Sequence, residues 1–143
     1  SLKDGMKKMS KSDPSDLSRI NLTDKKDDIS NKIKRAKTDP MSMPNNIEDL
    51  NKRPEAENLL GIYSSIKDQN LEKSISEFKG KNFSEFKVHL SEILIEKIDP
   101  ISNEIKKLLD DEKYLDETLI KGSEKANKTA SKKIKKIKEL VGF

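Results

Sequence analysis

The sequence predicts an all-α protein. Apolar residues recur at helical spacing along most of the chain, and no strand pattern is present apart from a short stretch near Ile20. Hydrophobic residues make up 31% of the chain and charged residues 39%, so the predicted core is thin, and disorder is the competing interpretation. The helical spacing favours an ordered fold in which residues 54–143 form an antiparallel helical bundle.

Residues 1–23 are predicted to be a loop, because they are rich in Ser, Asp and Gly and show no sustained period. A short extended piece is expected at residues 20–22. The loop contains the run Lys8-Met9-Ser10-Lys11-Ser12, followed by Asp13-Pro14. Two lysines three positions apart among small residues suit the binding of a polyphosphate.

The first helix is predicted to be capped by Thr23 or Asp24 and to end at about Lys37. Residues 38–52 hold two prolines and an Asn-Asn pair, which is typical of a connector. We therefore expect three parts: a loop over 1–23, a connecting helix and loop over 24–53, and a helical bundle over 54–143.

Pro54 fits the first turn of the next predicted helix, which ends near Asp68. A short helix follows, capped by Asn70 and stopped by Gly80. A long helix then begins after the Asn82 cap. Its main apolar stripe comprises Phe83, Phe86, Leu90, Leu94, Ile101, Ile105 and Leu108.

Two further features of the long helix lead to expectations about its shape and burial. Val88 and Ile95 lie off the main stripe, which predicts a second buried face. Pro100 is expected to kink the helix, because proline lacks the backbone N–H and crowds the preceding turn.

The last helix is predicted from Asp111 to Val141 and has two distinct faces. One face is a predicted core stripe of Leu119, Ala126, Ala130, Ile134, Ile137 and Val141. The other is a basic stripe of Lys121, Lys125, Lys128, Lys132 and Lys136. Such a stripe is either a solvated surface or a site for an anionic partner.

Composition narrows the possible functions. The net charge of +4, from 30 basic and 26 acidic residues, favours an anionic partner but gives a mixed surface rather than a polycation. The absence of cysteine excludes disulfides and thiolate chemistry, and the single histidine, His89, has no plausible metal partner, so no protein metal site is predicted. No apolar run suits a bilayer, and we expect a cytoplasmic protein that binds neither membranes nor DNA.

The run Lys8–Ser12 is the KMSKS motif of class I aminoacyl-tRNA synthetases. Later segments follow the same family in order, so the chain resembles the C-terminal part of a bacterial tryptophanyl-tRNA synthetase along essentially its whole length. The matching segments are Lys8–Asp13, Ile33–Asp39, Asn58–Ser64, Gly80–Lys81, Phe86–Lys87, Pro100, Gly122–Asn127 and Gly142–Phe143. One departure is Asp4-Gly5-Met6, where the family commonly has a proline after the aspartate.

The resemblance implies a tryptophan-tRNA ligase that activates tryptophan with ATP and Mg²⁺ and transfers it to tRNA(Trp). It implies that Lys8 and Lys11 are catalytic and that Lys8, Met9, Ser10, Lys11 and Ser12 form the ATP-phosphate loop. It also makes the helical bundle an anticodon-binding type. Four lysines of the last helix are then candidate tRNA contacts: Lys121, Lys125, Lys128 and Lys132.

The family's Rossmann domain and tryptophan pocket have no counterpart in this chain, and residue 1 is Ser1, so we expect a fragment of a longer homodimeric enzyme that is inactive alone. Three alternatives remain open on the sequence. One is a non-catalytic RNA-binding helical module that borrows a KMSKS-like loop, another is a different class I synthetase, and the third is a scaffold bundle without a nucleic-acid partner.

Overall fold

A computed structural model describes residues 1–142, and within that range it contains helices and no strand. The prediction of an all-α chain is confirmed. A short 3₁₀ turn at Asp16–Ser18 precedes the α-helices. In chain order these are α1 (Lys26–Arg35), α2 (Ile47–Leu50), α3 (Pro54–Lys67), α4 (Leu71–Phe78), α5 (Phe83–Asp110) and α6 (Glu112–Val141).

Most helix ends lie where cap residues predict them. The side chains of Asn70, Asn82 and Asp111 each accept a backbone N–H from the first turn of α4, α5 and α6, respectively. Pro54 is the first residue of α3, and Asp68 ends that helix in a left-handed conformation with φ of 52°. Local capping chemistry therefore sets these boundaries.

The structure differs from the predictions at two places near the start of the chain. The stretch predicted as extended at residues 20–22 forms no strand: Leu22 lies in a turn, and the backbone N–H of Asn21 donates to the Asp24 carboxylate at 2.9 Å. Neither Thr23 nor Asp24 is the N-cap of α1. The cap is Lys25, whose backbone N–H donates to the Asp28 carboxylate at 3.2 Å.

The connector is more ordered than its prolines suggest. It contains the short helix α2, in which the side chain of Asn46 accepts the Asp49 N–H at 2.8 Å. It is also held by Arg53, a buried residue whose guanidinium donates twice to the Asp39 carboxylate, at 2.7 and 2.9 Å. Burial is the largest single effect and acts to raise the pKa of Asp39, but the hydrogen bonds from Arg53 and the Met41 N–H and the charge of Arg53 together outweigh it and lower that pKa.

The chain divides into two compact units, Ser1–Asn103 and a second unit from Glu104 onward. The first unit contains the hydrophobic core. Its aromatic centre has the Tyr63 and Phe78 rings 5.0 Å apart and the Phe78 and Phe86 rings 4.9 Å apart. The other buried apolar residues of the core are Leu2, Ile29, Ile33, Ala36, Met43, Leu50, Ala56, Leu59, Leu60, Ile75, Phe83, Leu90, Leu94 and Ile98.

The long helix α5 buries one face only. The predicted stripe is buried from Phe83 to Leu94, but Ile101 and Leu108 are exposed. The predicted second buried face is wrong, since Val88 is 56% exposed and Ile95 is only partly covered. Pro100 lies inside the helix.

The last helix α6 has the predicted span but not the predicted burial. It runs to Val141 and ends at Gly142, which has a positive φ of 86°. None of its side chains is buried, so the predicted core stripe is wrong for this chain: the apolar residues find no covering surface among the residues described. Capping and helix propensity are enough to define the backbone. The matched residue Phe143 lies outside the described range.

Residues 3–17, which we call the lysine loop, begin and end at the same place in the first unit. The backbone N–H of Leu2 donates to the Ser18 carbonyl at 2.9 Å, and the N–H of Lys37 donates to the Leu2 carbonyl at 2.7 Å. The Leu2 side chain is buried in the core. The loop is therefore closed at its base and attached to the chain just beyond α1.

Gly5 brings the lysine loop against the start of α3. A Cβ atom at this position would lie 2.3 Å from the Pro54 carbonyl oxygen, closer than any side chain can approach. Glycine at position 5 is therefore required by close backbone contact.

We expect Leu90→Ala to destabilise the protein by about 2–5 kcal/mol, because Leu90 is fully buried and its truncation leaves a cavity. The matched control is Leu119→Ala, where the side chain is 69% exposed and the change should stay within about 0.5 kcal/mol. Urea denaturation of both variants measures the difference. Equal destabilisation would show that the α6 stripe is part of a core.

We expect Gly5→Ala to destabilise the protein by about 1–3 kcal/mol, because the added methyl group forces the lysine loop away from Pro54. Gly61→Ala is the control, since Gly61 lies inside α3 with open space around it, and alanine there should stabilise by up to about 1 kcal/mol. Thermal unfolding of the two variants gives the sign of each change. A neutral Gly5→Ala would contradict the close contact.

Candidate functional site

The five-residue run at the tip of the lysine loop is exposed and lacks helical structure. Among residues 1–142, no carboxylate lies within ion-pair distance of Lys8 or Lys11. Both ammonium groups are consequently available to an incoming anion. Met9 is 37% exposed, much less than Met6 at 83%, so it is the more strongly packed of the two methionines in this loop.

A small turn over residues 10–13 contains Lys11. The Ser10 and Ser12 hydroxyls are 2.9 Å apart, and the Ser12 N–H donates to the Ser10 hydroxyl at 3.3 Å. The Asp13 N–H donates to the Ser10 carbonyl at 3.4 Å. Hydroxyls that are exposed and bonded mainly to each other can exchange that bond for one to a phosphate oxygen.

The limb of the loop before the tip is held by Asp4. Its carboxylate accepts the Met6 N–H at 3.1 Å and lies 3.6 Å from the Lys7 ammonium. The charge of Lys7 is thus partly compensated, in contrast to that of Lys8. This difference makes Lys7 a useful internal comparison for Lys8.

The limb after the tip is held by Arg19. Its guanidinium donates to the Asp13 carbonyl at 2.9 Å and lies 3.2 Å from the Asp16 carboxylate. The Ser15 N–H donates to the Asp13 carboxylate at 2.8 Å. Asp13, the residue that follows the motif, is therefore fixed from two sides.

A buried lysine that the sequence analysis missed lies behind this limb. Lys32 of α1 is 3% exposed, and its ammonium lies 2.7 Å from the Asp16 carboxylate and 2.6 Å from that of Asp24. Burial is the largest single effect and acts to lower the pKa of Lys32, but the hydrogen bonds to both carboxylates and their negative charges together outweigh it and raise that pKa. The sequence signal was the position of Lys32 beside Ile29 and Ile33, on the side of α1 that faces the core.

The candidate tRNA contacts belong to the second unit, whereas the lysine loop belongs to the first. Lys121, Lys125, Lys128 and Lys132 are all exposed and follow one another at helical spacing along α6. They form no ion pair within residues 1–142. The stripe is therefore a row of accessible positive charges.

Other site types find no support in the described part of the chain. No group of three potential metal-ligating side chains occurs in residues 1–142, and His89 lies 3.5 Å from the Glu92 carboxylate on the surface of α5. The helices described are all too short or too polar to cross a bilayer. Tyr63, Phe78, Phe83 and Phe86 are buried in the core and present no exposed surface for base stacking.

Comparison with known proteins agrees with the motif. The sequence model of the family described as tRNA synthetases class I (W and Y) matches residues 1–98, which include the lysine loop and most of the first unit. The α6 lysines lie beyond that match.

Curated relatives align with the chain over all 143 residues. Proteins named tryptophan–tRNA ligase are 50% identical in Agrobacterium fabrum, 47% in Rhizobium meliloti and 48% in Rickettsia felis. The chain spans 40%, 40% and 43% of those relatives, respectively. The resemblance to tryptophanyl-tRNA synthetases is confirmed, and on the family match the chain belongs to the class I tRNA synthetases of the W and Y group.

Proposed function

We propose that this chain is part of a tryptophan-tRNA ligase. The whole protein joins tryptophan to ATP, giving tryptophanyl-adenylate and pyrophosphate, and then transfers tryptophan to tRNA(Trp). The observation that carries the proposal is the lysine loop, a KMSKS motif closed at its base with both lysines unpaired. Alignment of all 143 residues of this chain with proteins named tryptophan–tRNA ligase supports tryptophan over tyrosine as the amino acid.

Lys8 and Lys11 are the proposed catalytic residues. When the tryptophan carboxylate attacks the α-phosphate, negative charge accumulates on the departing pyrophosphate. Two ammonium groups near its oxygens stabilise that transition state more than the ground state. Because neither lysine is committed to a carboxylate in the described chain, neither must break an ion pair to take this role.

Ser10 and Ser12 supply hydroxyl and backbone N–H donors to the phosphate oxygens, while Met9 packs the loop. Mg²⁺ accompanies the nucleotide and adds positive charge to the phosphates. The described residues offer no group of three metal-ligating side chains, so the ion would be held mainly by the nucleotide. The two serines lie in one turn, so the Ser10 hydroxyl, the Ser12 hydroxyl and the Ser12 N–H are donors on one short segment.

The amino-acid pocket and the main nucleotide-binding portion are expected in the rest of the protein. The lysine loop then closes over ATP that is held elsewhere, and such closure can gate the reaction. Its fixed base and exposed tip suit this movement, because the chain can rearrange between residues 8 and 12 without disturbing the core.

The helices that follow the loop are proposed to bind the anticodon arm of tRNA(Trp). The exposed lysines of α6 face no carboxylate within ion-pair distance in the described chain and can neutralise RNA phosphates. The unstacked anticodon bases are the part of the tRNA that a protein can read by base edge.

Substituting Lys8→Ala or Lys11→Ala singly in the full-length protein should slow tryptophan-dependent ATP–pyrophosphate exchange by roughly a hundredfold or more. The affinity for tRNA(Trp) should be nearly unchanged, since the loop acts on ATP. Steady-state exchange kinetics and filter binding measure the two quantities.

Lys7→Ala is the matched control in that experiment, because Lys7 is adjacent in the chain but already close to Asp4. The isolated 143-residue chain serves as the blank and should form no adenylate. Exchange at the normal rate in both the Lys8 and Lys11 variants would refute the assignment.

Replacing Lys121, Lys125, Lys128 and Lys132 by glutamine should weaken tRNA(Trp) binding by the full-length protein and make it less sensitive to salt. Each lysine that neutralises a phosphate contributes about 0.7–0.9 to the slope of log K against log salt concentration. The control variant replaces four exposed lysines that precede the bundle, Lys25, Lys26, Lys34 and Lys52. An unchanged slope in the α6 variant would exclude this helix from the RNA contact.

A further inference from the structure

The two limbs of the lysine loop are anchored in different ways. The first limb makes no ion pair outside itself: Asp4 binds the Met6 N–H and Lys7 within the limb, and Gly5 lies against the Pro54 backbone. The second limb is held by ion pairs, which we call the anchor cluster and which comprise Asp16, Arg19, Asp24 and Lys32. Each limb can therefore be altered separately.

The charged groups of the anchor cluster pair with one another. Lys32 lies between the carboxylates of Asp16 and Asp24, and Asn21 donates to both of them, at 3.0 and 3.2 Å. Two positive and two negative charges balance in the cluster. The hydrogen bond from Lys32 is the main cause that lowers the pKa of Asp16.

Burying a lysine head group is costly, and an apolar residue of similar size in its place is often no less stable. Lys32 replaces what would otherwise be an apolar position between Ile29 and Ile33 on the buried side of α1. Unlike an apolar contact, a hydrogen-bonded ion cluster fixes the orientation of each of its side chains.

Arg19 connects the cluster to the part of the loop next to the motif. One of its terminal nitrogens lies 3.2 Å from Asp16, and the other donates to the Asp13 carbonyl at 2.9 Å. Asp13 is two residues from Lys11 and five from Lys8. The position of Lys11 should therefore depend on the cluster more than that of Lys8.

We propose that Lys32 is a positioning residue: through Asp16 and Arg19 it holds the second limb of the lysine loop so that Lys11 meets the departing pyrophosphate. This inference rests on the proposed function of the loop. Lys32 itself touches no nucleotide and acts only through the residues between it and the motif. The cluster links α1, through Asp16 and Arg19, to Asp13, the residue that follows the motif.

The test uses the full-length protein with Lys32→Met, which keeps the apolar stem and removes the charge. The kcat of ATP–pyrophosphate exchange should fall roughly ten- to a hundredfold, with the KM for tryptophan unchanged, because small displacements of a catalytic group have effects of that order. Trypsin should also cut the folded protein after Lys8 and Lys11 about tenfold faster, since the loop is less restrained.

Asp39→Asn is the matched control, because it breaks the other buried ion pair of the first unit, which involves Arg53 and makes no ion pair or hydrogen bond with the lysine loop. It should lower thermal stability without changing kcat or loop cleavage. The proposal would be overturned if Lys32→Met, like Asp39→Asn, lowered thermal stability but left kcat and the rate of loop cleavage unchanged.

A double-mutant comparison separates positioning from general damage. Lys32→Met combined with Lys11→Ala should slow exchange little more than Lys11→Ala alone, whereas its effect should multiply with that of Lys8→Ala. The proposal would be overturned if Lys32→Met slowed exchange by the same factor in the Lys8→Ala and Lys11→Ala variants. If Lys32→Met does not fold, Arg19→Gln replaces it, because that change cuts the link to Asp13 and leaves both Lys32 ion pairs in place.

The outcomes also separate this inference from the proposed function. Normal exchange in the Lys8→Ala and Lys11→Ala variants would refute the function of the loop itself. Slow exchange in those variants together with an unaffected Lys32→Met variant would refute only the role of the anchor cluster.

Discussion

The hydrogen bonds of Leu2 are the constraint on which the functional part of the molecule depends. Its N–H and carbonyl bind Ser18 and Lys37, respectively, and its side chain lies in the core. One residue therefore closes the lysine loop and attaches it to the segment that follows α1. A loop closed on a packed core can present charged groups in a reproducible position while its tip stays accessible.

Charge is distributed unevenly around that loop, and the distribution has a chemical consequence. Asp4 lies close to Lys7, and Asp16 is shared by Arg19 and Lys32, so the nearby carboxylates are already engaged. Lys8 and Lys11 are left without a partner in the described residues. In a chain with nearly as many acids as bases, such selective pairing leaves two exposed lysines of one loop without a counter-charge.

The sequence was sufficient where a local rule decides the structure. Asn70 and Asn82 are predicted caps because a short polar side chain before an amphipathic segment satisfies free N–H groups, and the structure confirms both. The motif itself was readable from five residues. Its catalytic role, and that of the α6 lysines, remain proposals.

The sequence was insufficient where distant parts of the chain decide burial. Helical periodicity shows that Leu119 and Ile134 share a face with one another but not whether anything covers them, and both are exposed. Lys32 is the opposite case. A lysine in a charged segment is expected to be exposed to solvent, and only the fold brings Asp16 and Asp24 to it. Leu2 could not be recognised as the closing residue, because its partners are far along the chain.

Amide hydrogen exchange in the full-length protein, with and without ATP, tests most directly whether the lysine loop has a fixed base and a tip that responds to ATP. We predict slow exchange at the Leu2 and Lys37 amides in both states, because each donates to a carbonyl at the loop base. The amides of residues 8–12 should exchange rapidly without ATP and slowly with it. Rapid exchange at the base, or a tip that ATP leaves unchanged, would contradict the account.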